Sequence, residues 1–363
     1  MSTFETYNVQ RLSVQPFGQT STGQQAKLFI LTNKQGMRVA ITDFGAAIVS
    51  IFTPDKTGRL TDIVLGYDNV SDYQQDTYYL GAVVGRYAGR IDQGKISIDN
   101  HQYQLTLNTP DSQLHGGHQA FNKVLWHVEQ NLQENDSQLT LTHISPDGDN
   151  GFPGEVRVSV TYLLTDDNEL VVKYHATTNK TTLLNLTQHS YFNLAGHDSG
   201  QVHHHQIKIN ACHYLPMDKR AFPTGEIKAV KNTAHDFLQL TPLAKHIDSD
   251  DEQIQIGRGF DNYWLVDDNV LNGETYAAQA VEPISGRVLT MYSDQPSLIL
   301  YTANYIDGSH YGKNNVKYQK RGALCLEPQR ANNRQNGHQL SNTLLEPNEP
   351  FNSTIRYCFS VQA

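Results

Sequence analysis

The segment "EVRVSVTYLL" (residues 155–164) alternates with a period of two, with Val156, Val158, Val160 and Tyr162 on one face and Arg157, Ser159 and Thr161 on the other. Successive side chains of a pleated strand point to opposite sides, so this pattern predicts a half-buried β-strand. Asp166, Asp167 and Asn168 then supply a turn before "ELVVKYHATT" (169–178), and the two runs read as a hairpin. The same alternation returns at the end of the chain, where Ile355, Tyr357, Phe359 and Val361 alternate with Arg356, Cys358 and Ser360. Similar runs occur at "AKLFILT" (26–32), "MRVAITDFGAAIVSIFT" (37–53), "HQIKINACHYL" (205–215) and "SLILYTANYI" (297–306). Turn signals such as Pro54-Asp55 and Asp307-Gly308 separate them. The best helical candidate, "VSDYQQDTYYLG" (70–81), is short. Many closely spaced strands and few helices predict an all-β fold, a large antiparallel β-sandwich. With no linker, composition break or repeat, the expectation is a single domain over residues 1–363.

Composition narrows the function classes. Of 363 residues, 38% are hydrophobic and 18% charged, a globular profile with ample chain for a core. The formal net charge of −9 argues against nucleic acid or anionic lipid, since a phosphate-binding face needs a cationic surplus. A neutral small molecule fits better. Cys212, Cys325 and Cys358 have no C-x-x-C spacing and suggest neither a disulfide framework nor a zinc ribbon. The first residues lack a basic and then apolar leader, and no apolar run reaches the ~20 residues of a membrane helix. A cytoplasmic location is expected.

Five polar residues sit in segments whose neighbours look buried or tightly turned. Arg86 lies in "VVGRYAGRI", His115 in "QLHGGHQ", His189 in "TQHSYFNLAG", Asp261 in "GRGFDNYWLV" and Glu327 in "GALCLEPQR". Each has a plainer structural reading: a paired arginine, a turn histidine, a satisfied core imidazole, a turn aspartate, a strand-closing glutamate. Two features favour chemistry. Pro328 follows Glu327 and would interrupt a ladder where the carboxylate emerges, and glycines beside Arg86 and His115 permit close approach of a ligand. Adjacent strand residues cannot converge on one ion, so the run His203–His205 is a poor metal site. "GRYAGRIDQG" lacks the Lys-Ser/Thr of a P-loop, and there is no G-x-S-x-G elbow.

Taken in order, "GRYAGRI", "LHGG", "GFPGEVRVSVTY", "LTQHSYFNLAG", "YLPMDKRAFPTGEI", "GFDNYW", "YTANYIDG" and "CLEPQ" resemble the galactose mutarotase (aldose 1-epimerase) family over roughly residues 25–360. The resemblance implies a supersandwich of antiparallel sheets, no cofactor or metal, and interconversion of the α and β anomers of free aldohexoses such as galactose and glucose. It implies Glu327 as general base and His189 as general acid, with Arg86, His115 and Asp261 holding sugar hydroxyls. It leaves a monomer or a homodimer open. Gly85 stands where many members have Asn before the arginine, Gln188 where Asn or His precedes the histidine, and Ile299 where some place a sugar-contacting Gln. Alternatives are a hexose-6-phosphate mutarotase, which needs a cationic phosphate site, and a sugar-binding protein without turnover.

Ring opening and reclosure require a proton taken from the C1 hydroxyl and another delivered to the ring oxygen, work suited to a carboxylate and an imidazole. At neutral pH an unperturbed glutamate is ionised, while much of an unperturbed imidazole is not protonated. A neighbouring carboxylate is therefore expected to raise the pKa of His189 and keep it an acid. Trp264 or Tyr263 could lie on the apolar face of a hexose or simply pack in the core.

Overall fold

The computed structural model of the chain describes residues 11–129, 137–267, 270–271, 273–331 and 342–362. The predicted hairpin is at its centre. Val156–Leu164 pairs antiparallel with Glu169–Thr178, with Val160 opposite Tyr174, and Asn168 turns the chain at φ +59°. Asn enters that left-handed conformation more readily than most residues, and here its side chain accepts from Asn33 Nδ2 at 2.7 Å and donates to Gln35 Oε1 at 2.9 Å. The hairpin lies in a ten-stranded sheet. Gln138–Ser145 flanks it on one side; on the other follow Phe351–Val361, Arg287–Ser293, Glu274–Val281 and Gln206–Ile209.

Two five-stranded antiparallel sheets accompany it. The first runs Leu12–Gln19, Gln25–Thr32, Arg38–Thr42, Ile48–Pro54, Leu60–Asp62. The second has the order Lys228–Ala229, His213–Leu215, Asp261–Leu265, Ser297–Tyr301, Cys325–Gln329. One apolar cluster joins all three sheets: Val156, Val158, Val160 and Tyr162 meet Phe29, Leu31, Val39 and Ile41 from the first and Trp264, Leu298, Leu300 and Leu326 from the second. Each fully buried side chain of this size stabilises by about 1.5–3 kcal/mol relative to exposure. The antiparallel sandwich read from the alternation is the observed fold.

Period two also fixes what the second five-stranded sheet presents on its other side. Trp264, Leu298, Leu300 and Leu326 face the core, so Asp261, Tyr263, Ile299, Tyr301, Cys325 and Glu327 face away from it. Tyr263, Ile299 and Glu327 form one rung across three strands; Asp261, Tyr301 and Cys325 form the next. The site described below is built on this face. Trp264 is a core residue whose Nε1–H donates to the His235 carbonyl at 3.1 Å.

Two details differ from expectation. The strand Cys325–Gln329 continues through Pro328, which pairs with Leu298. It is the terminal strand of its sheet, where a missing N–H costs no ladder bond, so the proline marks an edge and not a break. The helix over 70–81 is only Val70–Gln75, capped where the Asn69 side chain accepts from the Asp72 N–H. A second short helix, Glu252–Gly257, left no sequence signal because six residues are too few to show a helical period. No helix among the described residues is long and apolar enough to cross a membrane.

Candidate active site

The polar face of the second sheet forms one wall of a cavity of about 260 Å³ lined by His115, His189, Asp261 and Glu327, together with Arg90. Four of the five residues singled out in the sequence therefore converge on one space. The fifth, Arg86, does not.

His189 follows the short strand Thr187–Gln188, which pairs with Val83–Val84. Its own N–H donates to the Ala82 carbonyl at 3.0 Å, and its carbonyl accepts from Gly81 N–H at 2.9 Å. Gly81 is obligatory here: at φ +67° a Cβ would lie 2.0 Å from the Ile48 carbonyl oxygen. The imidazole is held between two phenol rings, with Tyr191 stacked at 5.0 Å and Tyr79 at 6.2 Å between centroids. This aromatic clamp aims Nε2 at Glu327, whose Oε1 is 3.6 Å away. Gln188 turns the opposite way. Its amide is wholly buried, donating to the Gly81 carbonyl and lying 3.2 and 3.3 Å from the hydroxyls of Tyr162 and Tyr174. It is a core strut, out of reach of the cavity.

His115 adopts φ +52° directly before Gly116 and Gly117. It is clamped to Gly89 in both directions: its N–H donates to the Gly89 carbonyl at 3.0 Å, and its Nδ1 accepts from Gly89 N–H at 3.2 Å. An accepting Nδ1 places the proton of the neutral ring on Nε2, which makes His115 a donor to a ligand. Burial, with help from His189 and Arg90, holds its pKa well below the usual histidine value.

Arg86 corrects the sequence expectation. It is buried, and its guanidinium donates to the carbonyls of Pro153 (3.0 Å), Gly154 (2.9 Å), Ser145 (3.1 Å) and Pro146 (3.1 Å) and to Ser145 Oγ (2.6 Å). It fastens the 145–154 segment and is not part of the cavity wall. The neighbouring glycines serve chain crossing: a Cβ on Gly116 would fall 2.1 Å from the Gly85 oxygen, and one on Gly85 2.3 Å from the Phe121 ring. The arginine of the cavity is Arg90, four residues later, on the strand Arg90–Asp92 beside Leu114. "GRYAGRI" contains both arginines, and only the fold separates them.

The electrostatics also depart from expectation. Desolvation pushes Glu327 well above the usual carboxylate range, Asp261 adding to this and Arg90 opposing it. Desolvation likewise moves Asp261 up to about 6, again against Arg90. The same cause drives His189 down to about 4. His189 moves down and not up as anticipated, because removal from water, and not the carboxylate beside it, governs the ring. Burial drives both partners toward their neutral forms.

Most of the rest of the wall is aromatic or apolar, with Tyr79, Tyr191, Tyr263, Tyr301, Phe222 and Ile299 among its residues. Of these, Tyr263 and Ile299 carry a sequence signal; Tyr301 ends the strand Ser297–Tyr301, and Tyr79, Tyr191 and Phe222 lie in segments whose loop positions only the fold reveals. Arg90 is accompanied by two carboxyls, which is not the cationic cluster that a phosphate needs. The histidine run 203–205 diverges, His205 Nε2 accepting from Leu194 N–H at 2.9 Å while His203 reaches Asp248 at 3.3 Å.

Known proteins resemble the chain over nearly its full length. The sequence pattern of the aldose 1-epimerase family matches residues 27–358. A galactose mutarotase from Sus scrofa is 39% identical over 325 residues, 90% of this chain and 92% of its own. An aldose 1-epimerase from Escherichia coli K12 is 32% identical over 339 residues, covering 93% and 96%. The crystal structure of a galactose 1-epimerase from Lactobacillus acidophilus superposes with a TM-score of 0.84 at 26% identity, covering 97% of this chain and 99% of that one. The matching family pattern, the identity and the shared fold agree: this chain belongs to the aldose 1-epimerase family and is an isomerase.

Proposed function

We propose that this cavity opens and recloses the hemiacetal ring of one free aldohexose, galactose and glucose being the first candidates, with Glu327 as base and His189 as acid. The observation that carries this reading is the 3.6 Å approach of His189 Nε2 to Glu327 Oε1 at the wall of a cavity sized for a small molecule. The neutral pair and the ion pair contain the same number of protons and differ in where one of them resides. Hydrogen bonds from sugar hydroxyls favour the ionised carboxylate, as does Arg90, and the proton then sits on His189. Glu327 takes the C1 hydroxyl proton, His189 protonates the ring oxygen, and the C1–O5 bond breaks. The aldehyde rotates about C1–C2, and closure on the other face reverses both transfers. His115 Nε2–H, Arg90 and Asp261 hold the remaining hydroxyls and steady charge on the opening sugar. A pure binder has no use for this acid–base pair.

The same reading takes the chain as one domain over residues 1–363, acting in the cytoplasm without a cofactor, as a monomer or homodimer. Polarimetry on freshly dissolved α-galactose and α-glucose tests the activity. Glu327→Gln should retain sugar affinity within a few-fold and lose ~10²–10⁴ in rate, the usual worth of a positioned general base. Equal rates in the two proteins refute the assignment.

A further inference from the structure

Cys325 belongs to the same sheet face as Glu327, two residues before it, and is wholly buried. It does not line the cavity, and the reaction proposed above gives it no task. Yet its sulfur, one carboxylate oxygen of Glu327 and one ring nitrogen of His189 all lie within 4.8 Å of one another. His189 Nδ1 is also buried without a hydrogen-bond partner among the described residues. We propose that His189, Cys325 and Glu327 form an inhibitory site for a thiophilic divalent cation, Zn²⁺ in the first instance, which binds in competition with the sugar.

The donor set favours such an ion. Tetrahedral zinc takes nitrogen and oxygen at about 2.0–2.2 Å and sulfur at about 2.3 Å, which sets its ligand atoms roughly 3.3–3.7 Å apart. The 3.6 Å between His189 Nε2 and Glu327 Oε1 already meets that spacing, and the sulfur needs at most ~1 Å of side-chain adjustment. A thiolate and a carboxylate cancel the dication, so the loaded site is neutral, as a water-poor pocket requires. Thiolate ligation selects zinc over the hard cations magnesium and calcium. His189 and Glu327 both line the cavity, which gives an ion its route to the site. Neutral His189 offers its lone pair directly. From the resting pair, binding breaks the S–H bond of Cys325 and the O–H bond of Glu327, forms Zn–S and Zn–O bonds, and releases two protons to the buffer without change of oxidation state. With both proton carriers ligated, neither transfer to the sugar can occur. That loss of turnover rests on the acid–base reading above; the binding itself does not.

The test uses the full chain with Cys212→Ser, because Cys212 is exposed and would hold zinc adventitiously. Co²⁺ in place of Zn²⁺ should give a thiolate-to-metal charge-transfer band without sugar present, and that band should vanish in Cys325→Ala. Zinc should slow mutarotation, EDTA should restore it, and galactose should protect. Cys325→Ala should turn over within two-fold of its parent and need at least ten-fold more zinc for half inhibition. Cys325→Ser serves if the alanine variant folds poorly. Absence of the cobalt band in the Cys325 protein, or equal zinc sensitivity with and without the thiol, overturns the site. A band with no basal mutarotation would leave the metal site standing and count against the proposed reaction.

Discussion

His189 and Glu327 lie 138 positions apart in the chain, yet Nε2 of one stands 3.6 Å from Oε1 of the other, with both side chains buried. No local segment could produce this. It arises because the turn after Thr187–Gln188 projects one side chain over the polar face of a sheet whose opposite face is committed to the core.

His189→Asn keeps a polar side chain between Tyr79 and Tyr191 and removes the titrating ring. Polarimetric turnover of α-galactose is expected to fall by ~10²–10⁴, matching the loss on removing Glu327, while the double variant falls little further, since the two groups act as one unit. Multiplicative losses would separate the residues functionally.

Arg90 and Arg86 should fail differently. Arg90→Ala removes a charge from the cavity and is expected to lower kcat/KM per folded molecule by roughly 10–150-fold, the worth of a charged hydrogen bond. Arg86→Ala strands several buried carbonyls and should destabilise on the order of 3 kcal/mol, with near-normal kcat/KM per folded molecule. Denaturant melts and kinetics on the same samples distinguish them; a catalytic defect in folded Arg86→Ala would restore its place at the sugar.

Asp261, with its carboxyl pushed up to about 6, should set an acid limb on kcat/KM. Below that pH the carboxyl is protonated and accepts sugar hydroxyls less well, so activity falls as pH drops through about 6. Asp261→Asn is expected to lower kcat/KM throughout and to remove this limb from the pH profile. An unmoved limb assigns it elsewhere.

His189 also links stability to pH. Its folded pKa of about 4 lies below the ordinary 6.5, so the unfolded chain binds this proton more readily. The penalty is absent at pH 7, grows as pH falls from 6.5 to 4, and reaches on the order of 3 kcal/mol. Relative to wild type, His189→Asn should therefore gain stability over that window in urea titrations. A pH-independent difference between the two proteins would contradict the burial argument.

What the sequence disclosed, and what it withheld, follows from the range of each signal. Alternation at residues 156–164 and 355–361 reports strands directly, because each side chain's face is decided by its parity. Parity within one strand could not put Asp261 and Glu327 on one side. It said nothing of which segments share a sheet, so the joining of Asp261–Leu265 to Ser297–Tyr301 and Cys325–Gln329 had to be seen. The choice between Arg86 and Arg90 was illegible for a related reason: a loop has no period, and Arg86 is claimed by carbonyls some sixty residues downstream. The downward shift of His189 is illegible for the same reason: the depth of the pocket, unlike the identity of its neighbours, is not written in "TQHSYFNLAG".

Gln188 and His189 share one peptide bond and point in opposite directions, the amide toward Tyr162 and Tyr174 and the imidazole toward Glu327. The interior of the great sheet thereby steers the proton carrier as a keel steers a rudder fixed to it. Drift in that hydrophobic interior is not silent: Tyr174→Phe, far from any sugar contact, should register in kcat before it registers in KM.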